Sequence, residues 1–263
     1  MKLSTYHSHT TFCDGKNTAE EMVQKAIELK CPEFGFSGHS PIYEVPTQWA
    51  IKDEAGYIKE ITRLKEKYKG TIDIFMGLEQ DLLSSTSKYK YDYLIGAVHY
   101  VPKGNLYLPV DASSDKMVNF VNSQYKGDVY EYCEDYYSLM EKVYEKTKCN
   151  IIAHFDLVTK FNEINKLIDT SEKRYIKAAN KALDVLLKAD AIFEINTGAI
   201  SRGYRTEAYP EKWMIDKIAN ANKKFVINSD THSCDTIDCK FDEVKKYLDD
   251  KGYEYITSLR EIL

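Results

Sequence analysis

His7-Ser8-His9 sets two imidazoles at a period of two, which on an extended segment sends both rings to one side, where they can chelate one ion. Asp230-Thr231-His232 repeats the spacing near the other end, with a carboxylate in place of one ring. Between them stand His39, His99 and His154, with the carboxylates Asp14 and Glu79. Imidazole and carboxylate together suit Zn, Mn or Fe, whereas Ca and Mg prefer oxygen alone. One zinc takes about three or four ligands, so these candidates imply two or three divalent ions with carboxylates bridging.

Such residues act together only if the fold gathers them. Short β-rich segments at 2–6, 33–37, 72–77, 91–98, 150–153, 191–195 and 224–228 alternate with segments of helical period, and a short final strand at 254–256 is a further candidate. All six histidines fall at or just beyond the end of one of these strands, as do Glu79 and Asp230. In a parallel α/β sheet the carboxyl ends of the strands share one face, and sites are built there. The placement therefore predicts one shared site.

Helices are expected at 19–30, 54–68, 129–146, 172–188, 211–221 and 241–250, the first opened by a capping box in Thr18-Ala-Glu-Glu21. No Pro/Gly/Ser-rich linker divides the chain, so residues 1–263 read as a single domain. One connection, about 99–128, exceeds the usual βα loop length and reads either as a lid over the barrel mouth or as a solvated excursion.

Composition narrows the classes. Lys and Arg number 36 against 41 Asp and Glu, a net charge of −5, which disfavours a nucleic-acid partner. No apolar run reaches the length of a bilayer span, and the N-terminus lacks the apolar core of a secretory signal, so a cytoplasmic location and no membrane partner are expected. The six cysteines form no CxxC pair and are expected reduced; Cys234 and Cys239 make only a weak C-x4-C metal signal. The 21 tyrosines read as half-buried packing with wet hydroxyls, with Tyr100 and Tyr107 in the long connection as exceptions beside the mouth. Phosphate-loop, dinucleotide and HExxH motifs are absent. Gly35-Phe-Ser-Gly-His39 misses the serine-hydrolase elbow by its last residue, and Ser37 reads as barrel interior.

His7-x-His9, Asp14, Gly38-His39, Gly77-x-Glu79, Val98-His99, Ala153-His154 and Asp230-x-His232 together resemble the motifs of the polymerase and histidinol phosphatase (PHP) superfamily. Ala97-Val-His-Tyr100, Asp111, Tyr136-Tyr137, residues 153–161, Glu194-Ile-Asn-Thr-Gly198, Arg202 and Tyr209-Pro210 are similar to its monofunctional histidinol-phosphatase branch. The resemblance implies a distorted (β/α)7 TIM-like barrel with a trinuclear centre at its mouth. One ion would take His7, His9, Glu79 and Asp230; a second Glu79, His99 and His154; a third Asp14, His39 and His232. It also implies a small phosphate ester as substrate, L-histidinol phosphate in that branch, with another ester or a nucleotide as the alternative.

Glu79, His99 and Asp230 are the candidate catalytic groups. Lys160, Arg202 and Arg205 are candidates for the phosphate oxygens, Lys160 offering a point charge where Arg would offer a fork, and Arg205 reading equally as a solvated surface residue. Asp156 could protonate the leaving group, orient His154 or cap the next helix. A binding module with purely structural ions is the rival class, but structural zinc sites are usually closed and rich in Cys.

Overall fold

The computed structural model describes residues 3–42, 45 and 47–263. Eight strands are present among them: β1 (Glu33–Phe36), β2 (Asp73–Asp81), β3 (Tyr93–Ala97), β4 (Tyr100–Lys103), β5 (Leu106–Pro109), β6 (Ile151–Ile152), β7 (Ile192–Asn196) and β8 (Phe225–Asn228). Six of them form one curled parallel sheet in the order β1-β2-β3-β6-β7-β8. Helices alternate with these strands, as βα units require.

The expected first strand is present only as isolated bridges, Thr5 to Phe34 on one side and Ser8 to Thr231 on the other; Lys2 lies outside the described residues. This segment nevertheless joins the two edges of the sheet. Gly35 N–H donates to Thr5 O (2.8 Å) and His9 N–H to Thr231 O (2.8 Å). No continuous ladder forms because side chains take some of the backbone donors: Tyr6 N–H goes to Asn228 Oδ1 and Ser8 N–H to the buried Ser37 Oγ. The result is a distorted barrel in which residues 5–9 occupy the seventh place. The candidate strand at 254–256 is likewise a single bridge, Phe225 to Tyr255.

Two boundaries differ from expectation for clear physical reasons. β2 runs on to Asp81 because Glu79, Gln80 and Asp81 are buried and find partners inside, so their polarity does not end the strand. The helix expected over 129–146 is two, Val129–Met140 and Val143–Thr147, divided where the ladder tightens to an i→i+3 bond from Lys142 N–H to Leu139 O. The Thr18/Glu21 capping box is formed and starts a helix at Ala19–Glu28. The long connection is no structureless loop: it holds the β4–β5 hairpin and a helix at Ser114–Gln124.

Tyrosines fill the interior more deeply than expected: Tyr6, Tyr57, Tyr93, Tyr132, Tyr136, Tyr137, Tyr175 and Tyr209 are fully buried. Internal acceptors replace water for several of them. Tyr57 donates to Gly77 O (2.9 Å), Tyr136 to Phe155 O (3.1 Å) and Tyr137 to Tyr175 Oη (2.9 Å). Tyr93 crosses the barrel interior and donates to Phe36 O (2.9 Å). It passes so close to Gly77 that a Cβ there would lie 2.3 Å from its ring, which is why a side chain is excluded at that point of β2. This aromatic layer is a floor beneath the carboxyl ends of the strands.

Candidate metal centre

The candidate ligands reach the mouth from several strand ends and, for Asp14, from a turn. His7 and His9 come from the bridging segment, Glu79 from β2, Asp230 and His232 from just beyond β8, and His39, His99 and His154 from just beyond β1, β3 and β6. Asp14 comes from the turn that follows His9. All nine converge. Four groups of ligand atoms lie close enough to share an ion: His9, Asp14, His39 and His232; His7, His9 and Asp230; His7, Glu79 and His154; and His39, Glu79 and His99.

Glu79 is the hub. Its Oε1 is 3.1 Å from both His99 Nε2 and His154 Nε2, and its Oε2 is 2.7 Å from His39 Nδ1 and 3.2 Å from His7 Nε2. Asp230 Oδ1 lies 3.2 Å from His9 Nε2, and Asp14 Oδ2 lies 3.3 Å from His232 Nε2. His7, His9 and Glu79 are deep, whereas Asp14 is 34% exposed and His232 21%, so the group that contains them faces solvent.

Four buried ligand atoms have no hydrogen-bond partner: His7 Nε2, His9 Nε2, His39 Nδ1 and Glu79 Oε2. They crowd around one another at ion-pair distances without hydrogen-bond geometry, although buried polar atoms are nearly always paired. Lone pairs pointed at a common space are what a cation requires, so the residues fit a multinuclear centre.

The electrostatics agree. Burial opposes charge on Glu79, yet His39, His7 and His99 hold its carboxyl well below the usual range. Asp230 is likewise held well down against burial, chiefly by Arg202 and His7. His9, buried and beside the imidazoles of His232 and His39, is pushed down to about 3 and stays neutral, as a ligand must. Burial works against protonating His7 and His99 as well, but the carboxylates facing them, Glu194 and Glu79 at His7 and Glu79 and Asp81 at His99, raise both, so an entering ion would displace a proton from these rings.

Three supporting groups carry no local signal as ligand partners. Glu194 on β7 lies 2.6 Å from His7 Nδ1, Asp81 lies 3.0 Å from His99 Nδ1, and Trp49 sets its ring 4.5 Å from that of His39 while its indole N–H donates to Tyr100 Oη (3.2 Å). A partner at the far ring nitrogen fixes which nitrogen faces the ion. Glu194 belongs to a stretch singled out by resemblance, but its partner is distant in sequence.

Arg202 donates to Asp230 Oδ2 (2.9 Å) and lies 2.9 Å from His232 Nδ1, at the edge of the centre. Gly198 permits this approach, since a Cβ there would stand 2.8 Å from both Arg202 Nη2 and Asp230 Oδ2. Lys160 is buried and bonds Asp111 at 3.3 Å, and it holds that carboxyl down at about 2 although burial would raise it. Arg205 is not solvated: it is 9% exposed and engages Asp156 and Thr159. Asp156 stands at the N-cap position of the short turn Leu157–Thr159 without a side-chain cap bond; Thr159, Arg205 and the Glu211 N–H all bond its Oδ2, and its buried Oδ1 has no partner. Tyr100 is buried under Trp49 and Tyr107 is exposed. No described cysteine joins a ligand group; Cys234 faces Met22, and all six thiols are free of disulfides.

A distorted α/β barrel with histidines and carboxylates massed at its strand ends defines a class of metal-dependent enzymes. The PHP domain family matches residues 5–198, and the chain belongs to that family. It is 28% identical to "Probable histidinol-phosphatase" of Schizosaccharomyces pombe over 284 residues, covering 98% of this chain and 89% of the relative. To the histidinol-phosphatase of Bacillus subtilis it is 25% identical over 263 residues, covering 88% and 94%. Among solved structures, histidinol phosphate phosphatase of Lactococcus lactis, complexed with Zn, L-histidinol and phosphate, matches with a TM-score of 0.74 at 19% identity over 97% of this chain and 95% of that one. No helix among the described residues is long and apolar enough to cross a membrane.

Proposed function

We propose that this chain hydrolyses L-histidinol phosphate to L-histidinol and inorganic phosphate. The observation that supports it most is the set of orphaned ligand atoms around Glu79, in a chain whose relatives over nearly its whole length bear that activity in their names. In the partition the family resemblance implies, His7, His9, Glu79 and Asp230 would hold one ion, Glu79, His99 and His154 a second, and Asp14, His39 and His232 a third; the contacts of Glu79 Oε1 with His99 and His154 and of Asp14 with His232 support it. Zn accompanies the Lactococcus lactis protein, and Mn and Fe suit the same donors. Such ions, when bound, supply an activated water and hold the oxygens of an in-line displacement at phosphorus.

The chain supplies the rest. Three dications would bring about +6, Glu79, Asp230, Asp14, Glu194 and Asp81 return about −5 and Arg202 adds about +1, so an acidic protein keeps a cationic pocket for a phosphate ester. Glu79 ties the deep groups together, and His99 is held in register by Asp81. Asp230 connects the centre to Arg202, whose guanidinium would offer its charge to phosphoryl oxygens. Lys160, held by its bond to Asp111, would offer a further donor to the phosphoryl group.

Phosphate release from a panel of esters by metal-replete protein tests this reading. Histidinol phosphate is expected to be the preferred substrate; comparable turnover of nucleotides with none of histidinol phosphate would overturn it. His9→Ala and Glu79→Ala are each expected to abolish turnover in a folded protein.

A further inference from the structure

Two donors beside the centre are fully buried and bond nothing: the Tyr209 hydroxyl and Arg202 Nε. Tyr209 is pinned at the carboxyl end of β7, where its N–H donates to Asn196 O (2.9 Å) and its carbonyl accepts Asn196 N–H (3.0 Å). Its ring meets His154 edge-on at 6.3 Å, and the Arg205 guanidinium lies over it at 4.3 Å. Tyr209 is 1% exposed, so bulk solvent does not satisfy its hydroxyl.

This hydroxyl differs from most of its buried counterparts. Tyr6, Tyr57, Tyr93, Tyr136 and Tyr137 each place their hydroxyl on an acceptor of the chain. Leaving a buried hydroxyl unpaired is destabilising, and phenylalanine would fill the same space without that penalty. The ring alone does not account for tyrosine. The charged groups around the hydroxyl are Arg205, Asp156, Arg202 and Asp230, and Arg202 in turn lies in the field of Tyr209. Arg202 spends both terminal nitrogens on Asp230 and His232, which leaves Nε.

We propose that Tyr209 is a further substrate-contacting residue, whose hydroxyl donates, together with Arg202 Nε–H, to non-bridging oxygens of the phosphoryl group. Two orphaned donors are what the acceptor oxygens of a phosphoryl group would require. This rests on the phosphatase reading above.

The test is Tyr209→Phe in the metal-loaded full chain, which keeps the ring between His154 and Arg205. Calorimetric titration with inorganic phosphate and steady-state turnover of histidinol phosphate are read alongside thermal melting. Phosphate affinity and kcat/KM are expected to fall roughly ten- to hundredfold, as loss of a bond to a charged group implies, with the melting temperature unchanged or higher. Unchanged phosphate affinity and kcat/KM would overturn the assignment and leave a trapped water as the hydroxyl's partner. If the wild-type protein releases no phosphate from histidinol phosphate yet binds inorganic phosphate more tightly than the variant, the substrate reading fails while the role of Tyr209 stands.

Discussion

Glu194 holds two candidate ligands at once: one carboxylate oxygen lies 2.6 Å from His7 Nδ1 and the other accepts the backbone N–H of His154 at 2.9 Å. Asn196 and Asn228 donate to the same carboxylate, so it is fully occupied although completely buried. Because Nδ1 of His7 is committed to Glu194, Nε2 is the nitrogen that faces Glu79 and Asp230.

Glu194→Gln is expected to keep the fold but to loosen the His7 ring, since an amide offers only one acceptor oxygen. Metal affinity should fall about 10–100-fold, the usual cost of losing such a support. Metal content after dialysis against a buffered chelator checks this; stoichiometry and affinity equal to wild type would show that His7 needs no carboxylate behind it.

Gly198→Ala places a methyl group 2.8 Å from Arg202 Nη2 and from Asp230 Oδ2 and 2.9 Å from Asp230 Cβ. One of the two side chains must move. A displacement of the order of 1 Å at a reacting centre costs about 10²-fold, so kcat/KM is expected to drop by that order while melting changes little. Wild-type kinetics in this variant would argue against any role for the Arg202–Asp230 contact.

Acid should empty the centre. A ligating imidazole must be neutral, so protons and cations compete for the same nitrogens, and lowering the pH favours the protons. Dialysis near pH 5 is expected to strip ions and activity, with both restored by Zn or Mn at neutral pH. Retention of full metal content in acid would count against ligation by six histidines.

Arg205→Met leaves Asp156 buried without its cation. Removing one partner of a buried pair costs about 3–5 kcal/mol, to be read as a lower urea midpoint for the metal-free protein. Burial already raises the Asp156 pKa despite Arg205, and the variant raises it further. A carboxyl with a raised folded pKa contributes its stability at low pH and loses it as the pH rises through that value. The deficit relative to wild type should therefore be larger at pH 8 than at pH 5; a deficit independent of pH would place the loss in packing over Tyr209.

Trp49 stands 4.5 Å from His39 and 5.6 Å from His99 by ring centroids, whereas the only other tryptophan, Trp213, bonds Glu211 away from the centre. Metal addition is expected to change the emission of the wild type and of Trp213→Phe, but not of Trp49→Phe.

The candidate ligands were legible because all but Asp14 sit at or just past the end of a short β-rich segment, and parallel strands bring their carboxyl ends to one face whatever their order in the chain. Residue type and position along a strand are local properties, so His7, His9, Glu79 and Asp230 could be recognised before any contact was known. The Thr18/Glu21 cap is local in the same sense. Glu194, Asp81, Trp49 and Tyr209 are different. Their roles come from partners 187, 18, 51 and 55 residues away: His7 for Glu194, His99 for Asp81, Tyr100 for Trp49 and, across the ring contact with Tyr209, His154. The sequence by itself determined the chemistry available and the face on which it collects. Only the tertiary structure decided which carboxylate stands behind which imidazole, that Arg205 serves Asp156, and that the Tyr209 hydroxyl is left without a partner, because those pairings depend on how strands twist and close and not on spacing along the chain.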